Sequence, residues 1–379
     1  MSSDRHFFPN VLALPNRVLM TADTVGGVWT YVLELARVLY KQDVEIALAT
    51  MGARLTSAQR HEIECIPNLR VFESTYKLEW MHEPWQDVQA AGEWLLDLER
   101  RLRPDIVHLN NYAHGTLPFS APKLVVAHSD VLSWWRAVKG EEAPVSWNQY
   151  RDVVRTGLRS ADLIVAPSTC ALADVIHHYG PLRKTAVVRN GREISFRRAA
   201  KEPFIFSSGR LWDEAKNIST LAGIASELSW PVHVAGDTTE PCGKSVSFRN
   251  VRLLGRLNAS QMAEQFERAA IYCLPVRYEP FGLSALEAAL AGCALVLGDI
   301  PSQREIWRDA VVFVEPNDAR ALHSALQRLI EDPTRRRELA DRAQDRATQF
   351  TPLQMASSYL GLYSGLMEQP RYMENACAS

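Results

Sequence analysis

Cysteine is scarce. The 379-residue chain carries six, Cys65, Cys170, Cys242, Cys273, Cys293 and Cys377, with no Cys-x-x-Cys pair and no His-rich partner segment. Neither a disulfide framework nor a structural zinc site is expected from such a pattern. Cys273 and Cys293 lie inside the apolar runs AIYCLPV and LAGCALVLG and read as small buried hydrophobes. Long apolar runs are missing as well, since none approaches the ~18 residues of a spanning helix. The opening MSSDRHFFPN lacks the apolar stretch of a secretory signal. Excess charge of one sign is also absent: 42 basic residues face 44 acidic ones, for a net charge of −2. The balance holds in both halves, with 20 basic and 21 acidic residues up to residue 190 and 22 and 23 after it. That excludes a strongly basic nucleic-acid-binding protein and a protein held to anionic lipid by a basic patch. A cytoplasmic protein is the expectation.

With 47% hydrophobic and 23% charged residues the composition is that of a globular protein. Single cores stop growing near ~250–300 residues, so two domains are expected. Short apolar runs alternate with longer amphipathic ones, the pattern of βαβ units and a parallel sheet. The strand candidates are residues 17–22, 44–50, 69–74, 105–110, 123–128, 162–167 and 185–190. A second set follows at 204–210, 231–237, 250–256, 270–276, 294–299 and 310–316. β-branched residues fill these runs without clean alternation, so helices should cover both sheet faces. Helical stretches are expected at 28–42, 85–102 and 353–367. Between the two sets, NGREISFRRAAKEP (190–203) is polar and strand-poor, as befits a linker. The expected organisation is α/β, with doubly wound Rossmann-like domains at 1–190 and 203–352, a linker at 191–202, and a C-terminal helical tail, 353–379, packing back on the first domain. Ligands of such sheets sit at the carboxyl edges of the strands, which directs attention to the loops that follow them.

The segment RYEPFGLSALEAALAGCALVLGD (277–299) carries the strongest chemical signal. A strand runs into Glu279-Pro280-Phe281-Gly282 and then into an apolar helix from about Leu283 to Ala291. The first amides of that helix, around Gly282, Leu283 and Ser284, have no intrahelical partners and form an anion site, favoured by the helix dipole. Glu287 lies one turn along, roughly 5.4 Å up the axis. It could accept hydrogen bonds from a ribose beyond the phosphate, while Glu279 stands where a sugar would lie. A solvated Glu on a helix face is the plain alternative for Glu287, but a carboxylate in so apolar a run usually has a partner.

Glu279-Pro-Phe-Gly-Leu-Ser-Ala-Leu-Glu287 resembles the E-x7-E signature of retaining GT-B glycosyltransferases, especially family 4. Five further fragments fit the same resemblance in order. They are Asp23-Thr-Val-Gly-Gly-Val-Trp-Thr-Tyr31, Ala127-His-Ser-Asp130, Ala161–Ser168, Val188–Gly191 and Ser208-Gly-Arg-Leu-Trp-Asp-Glu-Ala-Lys-Asn217. The similarity runs from about residue 17 to 350. It implies that Arg210 and Lys216 neutralise a departing diphosphate and that Gly26 and Gly27 border the donor across the cleft. It also implies that His128 contacts the transferred sugar and that Arg256 and Leu257 meet the nucleotide base. Glu279, Phe281, Gly282, Leu283, Ser284 and Glu287 complete the donor set.

Other readings stay open at this point. Arg210 and Lys216 could be a surface pair with Asp213 and Glu214, and the spacing from Arg to Lys is one position longer than is usual in the family. Gly26-Gly27 could be a simple tight turn, lacking the G-x-G-x-x-G spacing. Asn190 could face the cleft or only turn the chain before Gly191. His108 competes with His128 at a similar strand edge, and the Ser inside His-Ser-Asp sets Asp130 apart from the family pattern. Trp134 and Trp135 could line an acceptor pocket or simply pack.

Sugar transfer from a nucleoside diphosphate sugar, a UDP-sugar foremost, to an acceptor hydroxyl is the expected reaction. The resemblance implies retention of configuration. No Asp-x-Asp motif occurs, so no metal and no other cofactor is expected. The alternatives are a nucleotide-sugar 2-epimerase or hydrolase on the same fold and, from another class, a two-lobed solute-binding protein. The expected partners are the nucleotide-sugar donor and a sugar or small-molecule acceptor, with no nucleic acid and no membrane segment.

Overall fold

The computed structural model describes residues 13–368 apart from 25, 195, 197–199, 241 and 242. Cys242, Cys377, parts of the expected linker and the ends of the expected outer segments lie outside the described residues. Each of the thirteen apolar runs forms a strand. The first set gives β1 (Arg17–Asp23), β2 (Glu45–Met51), β3 (Leu69–Glu73), β4 (Ile106–Leu109), β5 (Lys123–Val126), β6 (Leu163–Ala166) and β7 (Thr185–Val187). The second gives β8 (Glu202–Ser208), β9 (Val232–Ala235), β10 (Arg252–Gly255), β11 (Ala269–Leu274), β12 (Ala294–Gly298) and β13 (Val312–Val314). The first sheet has the order β3-β2-β1-β4-β5-β6-β7 and the second β10-β9-β8-β11-β12-β13. Both are parallel, as the pairings of β1 with β2 and β4 and of β11 with β8 and β12 show.

Helices cover both faces of the first sheet, which is why its strands are apolar without alternation. Val18 and Met20 of β1 enter one core with the Gly27–Tyr40 helix, while Leu19 enters the opposite core with the Trp85–Leu102 helix. The second sheet builds its own core, with Trp307, Phe206 and Tyr272 among its fully buried side chains. No helix among the described residues is long and apolar enough to cross a membrane.

Two crossings join the lobes, and they run side by side. After β7 the chain passes outward through Asn190, Gly191 and Arg192; it returns through Phe350, Thr351 and Pro352. The Arg192 amide donates to the Phe350 carbonyl at 3.0 Å. The returning chain then forms the Pro352–Met367 helix, started by a Thr351 side-chain cap on the Gln354 amide. This helix buries Met355, Ala356, Tyr359, Leu360, Tyr363 and Leu366 in the core of the first sheet. The Tyr363 hydroxyl also lies 2.6 Å from Nδ1 of buried His108. The final described helix therefore belongs physically to the lobe in which the chain begins.

Gly191 is the tightest point of the double crossing. A Cβ there would stand 2.2 Å from the Thr351 carbonyl oxygen, backbone against backbone, with no flexible side chain to give way. Gly191→Ala should therefore cost about 1–3 kcal/mol through overpacking. A thermal melt followed by circular dichroism should show a lowered Tm with unchanged helix and strand content; an unaltered Tm would mean that the crossings separate freely.

Candidate active site

The order of each sheet reverses at one place, between β1 and β4 in the first and between β8 and β11 in the second. Loops leaving neighbouring strands there diverge and open a crevice, the standing position for ligands of doubly wound sheets. Gly26 and Gly27 follow β1. Asn110 follows β4 and His128 follows β5. Across the gap, Arg210 and Lys216 follow β8, and the Glu279–Ser284 turn follows β11. These sequence candidates come to the facing edges of the two sheets.

The Leu283–Leu290 helix begins behind Gly282, which has φ +95°. That left-handed conformation favours glycine, and a Cβ would crowd the Gln303 and Glu279 side chains at 3.4 Å. The sharp turn is fixed by Ser302 Oγ donating to the Glu279 carbonyl at 2.6 Å and Gln303 Nε2 donating to the Phe281 carbonyl at 3.0 Å. Lys216 Nζ donates to Glu279 Oε2 at 2.5 Å, and both side chains are about 15% exposed. Arg210 Nη2 donates to Asp213 Oδ2 at 2.9 Å. Asp213 is buried, and burial works to raise its carboxyl, but Arg210 and Lys216, together with hydrogen bonds from Trp134 and the Ala215 amide, hold it below the usual carboxylate range.

Gly26 and Gly27 confront this group from the other lobe. Gly26 has φ −144° and ψ −159°, an extended backbone open to any residue, and Gly27 is the first residue of a helix. A tight turn does not explain the pair. A Cβ on Gly26 would stand 3.9 Å from Arg210 Nη1, and one on Gly27 would stand 3.9 Å from Leu283 Cδ1. Side chains at these two positions would fill the gap between the lobes.

His128 Nε2 lies 2.8 Å from Asn110 Oδ1. The amide orientation is set by Asn110 Nδ2, which donates to the Thr21 carbonyl, so the imidazole must donate from Nε2 and keeps Nδ1 as an acceptor. The Tyr31 ring packs edge-on against His128, with centroids 4.6 Å apart. Burial pulls His128 down to about 3. His108 is fully buried between the hydroxyls of Tyr31 and Tyr363, at 3.2 and 2.6 Å, and is a packing residue.

The remaining sequence candidates have these surroundings. Phe281 is 2% exposed and packs against Phe350, so any ligand contact is limited to its backbone. Arg256 is exposed beyond β10, and Leu257 packs against the second core. Trp134 crosses between the lobes, its Nε1 donating to Asp213 Oδ1 at 2.9 Å, and Trp135 packs against the first lobe's core. Asp130 is a buried helix cap, accepting from the Leu132 and Ser133 amides and from the Tyr179 hydroxyl. Asn190 is buried at the crossing. Among the described residues, Glu142, His177 and His178 form a group spaced to hold a metal ion; it includes none of the crevice residues.

The family model "Glycosyltransferase Family 4" matches residues 25–196, and "Glycosyl transferases group 1" matches residues 192–346. The chain belongs to the family 4 glycosyltransferases. It is 27% identical to a glycogen synthase of Mycobacterium tuberculosis over 286 residues, 67% of this chain and 66% of that one, so it spans just under two thirds of that relative. It is 24% identical to a D-inositol 3-phosphate glycosyltransferase of Corynebacterium efficiens over 392 residues, covering 89% and 90% of the two chains. In fold it is similar to sucrose-phosphate synthase from Thermosynechococcus elongatus, with a TM-score of 0.78, 18% identity and 93% and 99% coverage. Anabaena HepE, solved in complex with UDP-glucose, gives a TM-score of 0.71 at 17% identity and 92% and 99% coverage. The fold is GT-B: two Rossmann-like domains facing across a cleft.

Nothing in the sequence pattern of this family member marks Arg192, which joins Glu34 to Glu287, or the tie between Trp134 and Asp213. Glu34 was findable. It lies in the apolar stretch VWTYVLELARVLY, where a carboxylate needs a partner just as Glu287 does.

His128 should remain neutral throughout the physiological range, because burial has moved its titration to about 3. A 15N NMR titration of the imidazoles should show His128 in the Nε2–H form from pH 8 down to pH 5. A midpoint near the ordinary ~6.5 would show that water reaches the ring freely.

Proposed function

We propose that this chain transfers a hexose from a nucleoside diphosphate sugar, a UDP-sugar foremost, to an acceptor hydroxyl, with retention of configuration and without a metal ion. The observation that carries this reading is the meeting of Arg210, Lys216 and the bare amides at the start of the Leu283–Leu290 helix, opposite a glycine pair that backbone geometry does not require. Two cations whose donors are not used up by Asp213 and Glu279, facing space kept clear of side chains, suit a diphosphate. The UDP-glucose complex of HepE supports UDP as the nucleotide.

In the proposed reaction the bond from the sugar's anomeric carbon to the phosphate oxygen breaks, and its electron pair leaves with the diphosphate. Arg210 forks onto phosphate oxygens, Lys216 adds a point charge, and the amides of Leu283 and Ser284 donate from the helix end. These charges stabilise the leaving group where negative charge develops. The acceptor oxygen attacks the anomeric carbon from the same face, and its proton passes to the departing phosphate. Glu279, held by Lys216, faces the donor sugar as a hydrogen-bond acceptor; His128 Nδ1 accepts from a sugar hydroxyl on the other side. Glu287 accepts from the ribose.

A thermal-shift panel of UDP, GDP and ADP with their sugars tests the reading. One nucleotide should stabilise the wild type, by about 2.7 kcal/mol at a hundredfold excess over Kd, and Glu287→Ala should lose most of that gain. Arg210→Ala should fall in kcat/KM by roughly 10²–10³-fold, the usual cost of one lost donor to a developing anion. Gly26→Ala should keep the wild-type Tm yet weaken nucleotide binding. No shift with any nucleotide would dismiss the transferase reading.

A further inference from the structure

Glu287 is held from outside its own lobe. Arg192, on the outward crossing, donates from Nε to Glu287 Oε1 at 2.7 Å, and its Nη1 reaches Glu34 Oε1. Glu34 is on the Gly27–Tyr40 helix of the first lobe and also receives Arg37 Nη1 at 2.7 Å. The three central side chains are sequestered: Arg192 is 16% exposed, Glu287 14% and Glu34 4%. Around Glu287 the charged and titratable groups are Arg192 from the crossing, Glu34 with its partner Arg37 from the first lobe, and the Tyr272 phenol from β11.

One guanidinium thus serves two carboxylates in a site with little water. Burial pushes the Glu287 carboxyl up, and Glu34 adds to the rise; Arg192 opposes them. The contact is to Oε1, and among the described residues no side chain is bonded to Oε2. A carboxylate that accepts from a ribose diol must be ionised and must point one way; Arg192 favours the ionised form and fixes the direction.

We propose that Arg192 is a positioning residue for donor binding, fixing the Glu287 carboxylate to accept the ribose hydroxyls of the nucleotide, with Glu34 as its anchor on the first lobe. The proposal rests on the reading of Glu287 as the ribose acceptor given above. Arg192 also borders an open cavity of about 620 Å³ shared with Arg37, Lys41 and Pro352. Shortening its side chain therefore admits water and does not leave a dry void, so variants at this position should fold.

The test is titration calorimetry of the full chain with UDP, or with the nucleotide that the thermal panel selects, from pH 5.5 to 8.5. The wild type sets the reference pH profile, because the terminal phosphate of UDP itself titrates in this window. Arg192→Ala should bind about tenfold more weakly at pH 7. Without its cation Glu287 takes up a proton at higher pH, so the variant's Kd should worsen more steeply than that of the wild type as pH falls and approach it toward pH 8.5. Arg192→Lys, keeping charge without the fork, should restore the wild-type profile but not the full affinity. Arg192→Gln supplies the uncharged arm if the alanine variant does not fold. Unchanged affinity with the wild-type profile would overturn the proposal, leaving Arg192 as a structural tie. Tighter binding would overturn it too, showing that Arg192 obstructs the ribose. Glu287→Gln separates the two levels: if it binds as the wild type does, the ribose reading itself fails, whereas weak binding by Glu287→Gln beside normal binding by Arg192→Ala removes only the proposal.

Discussion

Taking an ion out of water costs several kcal/mol even after the surroundings relax, so ions at a buried seam persist only when each finds a partner of good geometry. The seam between the two lobes is built under that constraint. Arg192 is shared by Glu34 and Glu287, Asp213 takes both Arg210 and the Trp134 indole, and Lys216 meets Glu279. Glu305 of the second lobe accepts the Thr169 and Cys170 amides at the start of a first-lobe helix, at 3.0 and 2.9 Å. Such contacts are directional, so they set how one sheet edge faces the other in a way that apolar packing alone would not.

Pairing of this kind need not compete with a ligand. Arg210 uses one nitrogen on Asp213 and has further donors in its planar fork; the Lys216 ammonium has three hydrogens and spends one on Glu279. Phosphate oxygens can join both cations without displacing the carboxylates. Asp213 is itself pinned by Trp134 and the Ala215 amide, so Arg210 is held in place before any ligand arrives. Preorganised charge costs no rearrangement at the moment of reaction, which is the condition under which it is most effective.

The sheets were legible in the sequence because burial on both faces forces the central parallel strands to be apolar throughout, and thirteen runs, the more exposed edge strands β3, β7 and β10 among them, stand out between amphipathic helices. The loops at the carboxyl edges were legible for a related reason: Gly282 and the turn before it are local features, readable within a few residues. What escaped was non-local. Arg192 and Glu34 are 158 positions apart, and Trp134 and Asp213 are 79 apart, so no window of sequence contains either pair. Apolar residues beside a site pose a different difficulty. Phe281 and Leu283 are both hydrophobic neighbours of Gly282, yet Phe281 turns into the core while Leu283 reaches toward Gly27. Local pattern gives no sign of which will do which.

The two glutamates of the 279–287 segment are eight positions apart in the chain and are held by different partners. Glu279 is held by Lys216, and its carbonyl by Ser302, both from the second lobe. Its neighbours in the chain reach the first lobe: the Tyr278 hydroxyl accepts from the Asp130 amide at 3.3 Å, and the Pro280 carbonyl accepts from Ser168 Oγ at 2.8 Å. Glu287 is held by a side chain on the crossing, and that side chain is anchored in the first lobe. The crossing is in turn packed closely against the returning chain, where a Cβ on Gly191 would stand 2.2 Å from the Thr351 carbonyl oxygen. Under the proposed roles, both ends of the donor therefore meet residues tied to the first lobe, the sugar end through the residues flanking Glu279 and the ribose end through Arg192 and Glu34. A relative movement of the lobes would be felt at both ends, and nucleotide affinity would carry the signature of closure even though every donor contact except those of Gly26, Gly27 and His128 belongs to the second lobe.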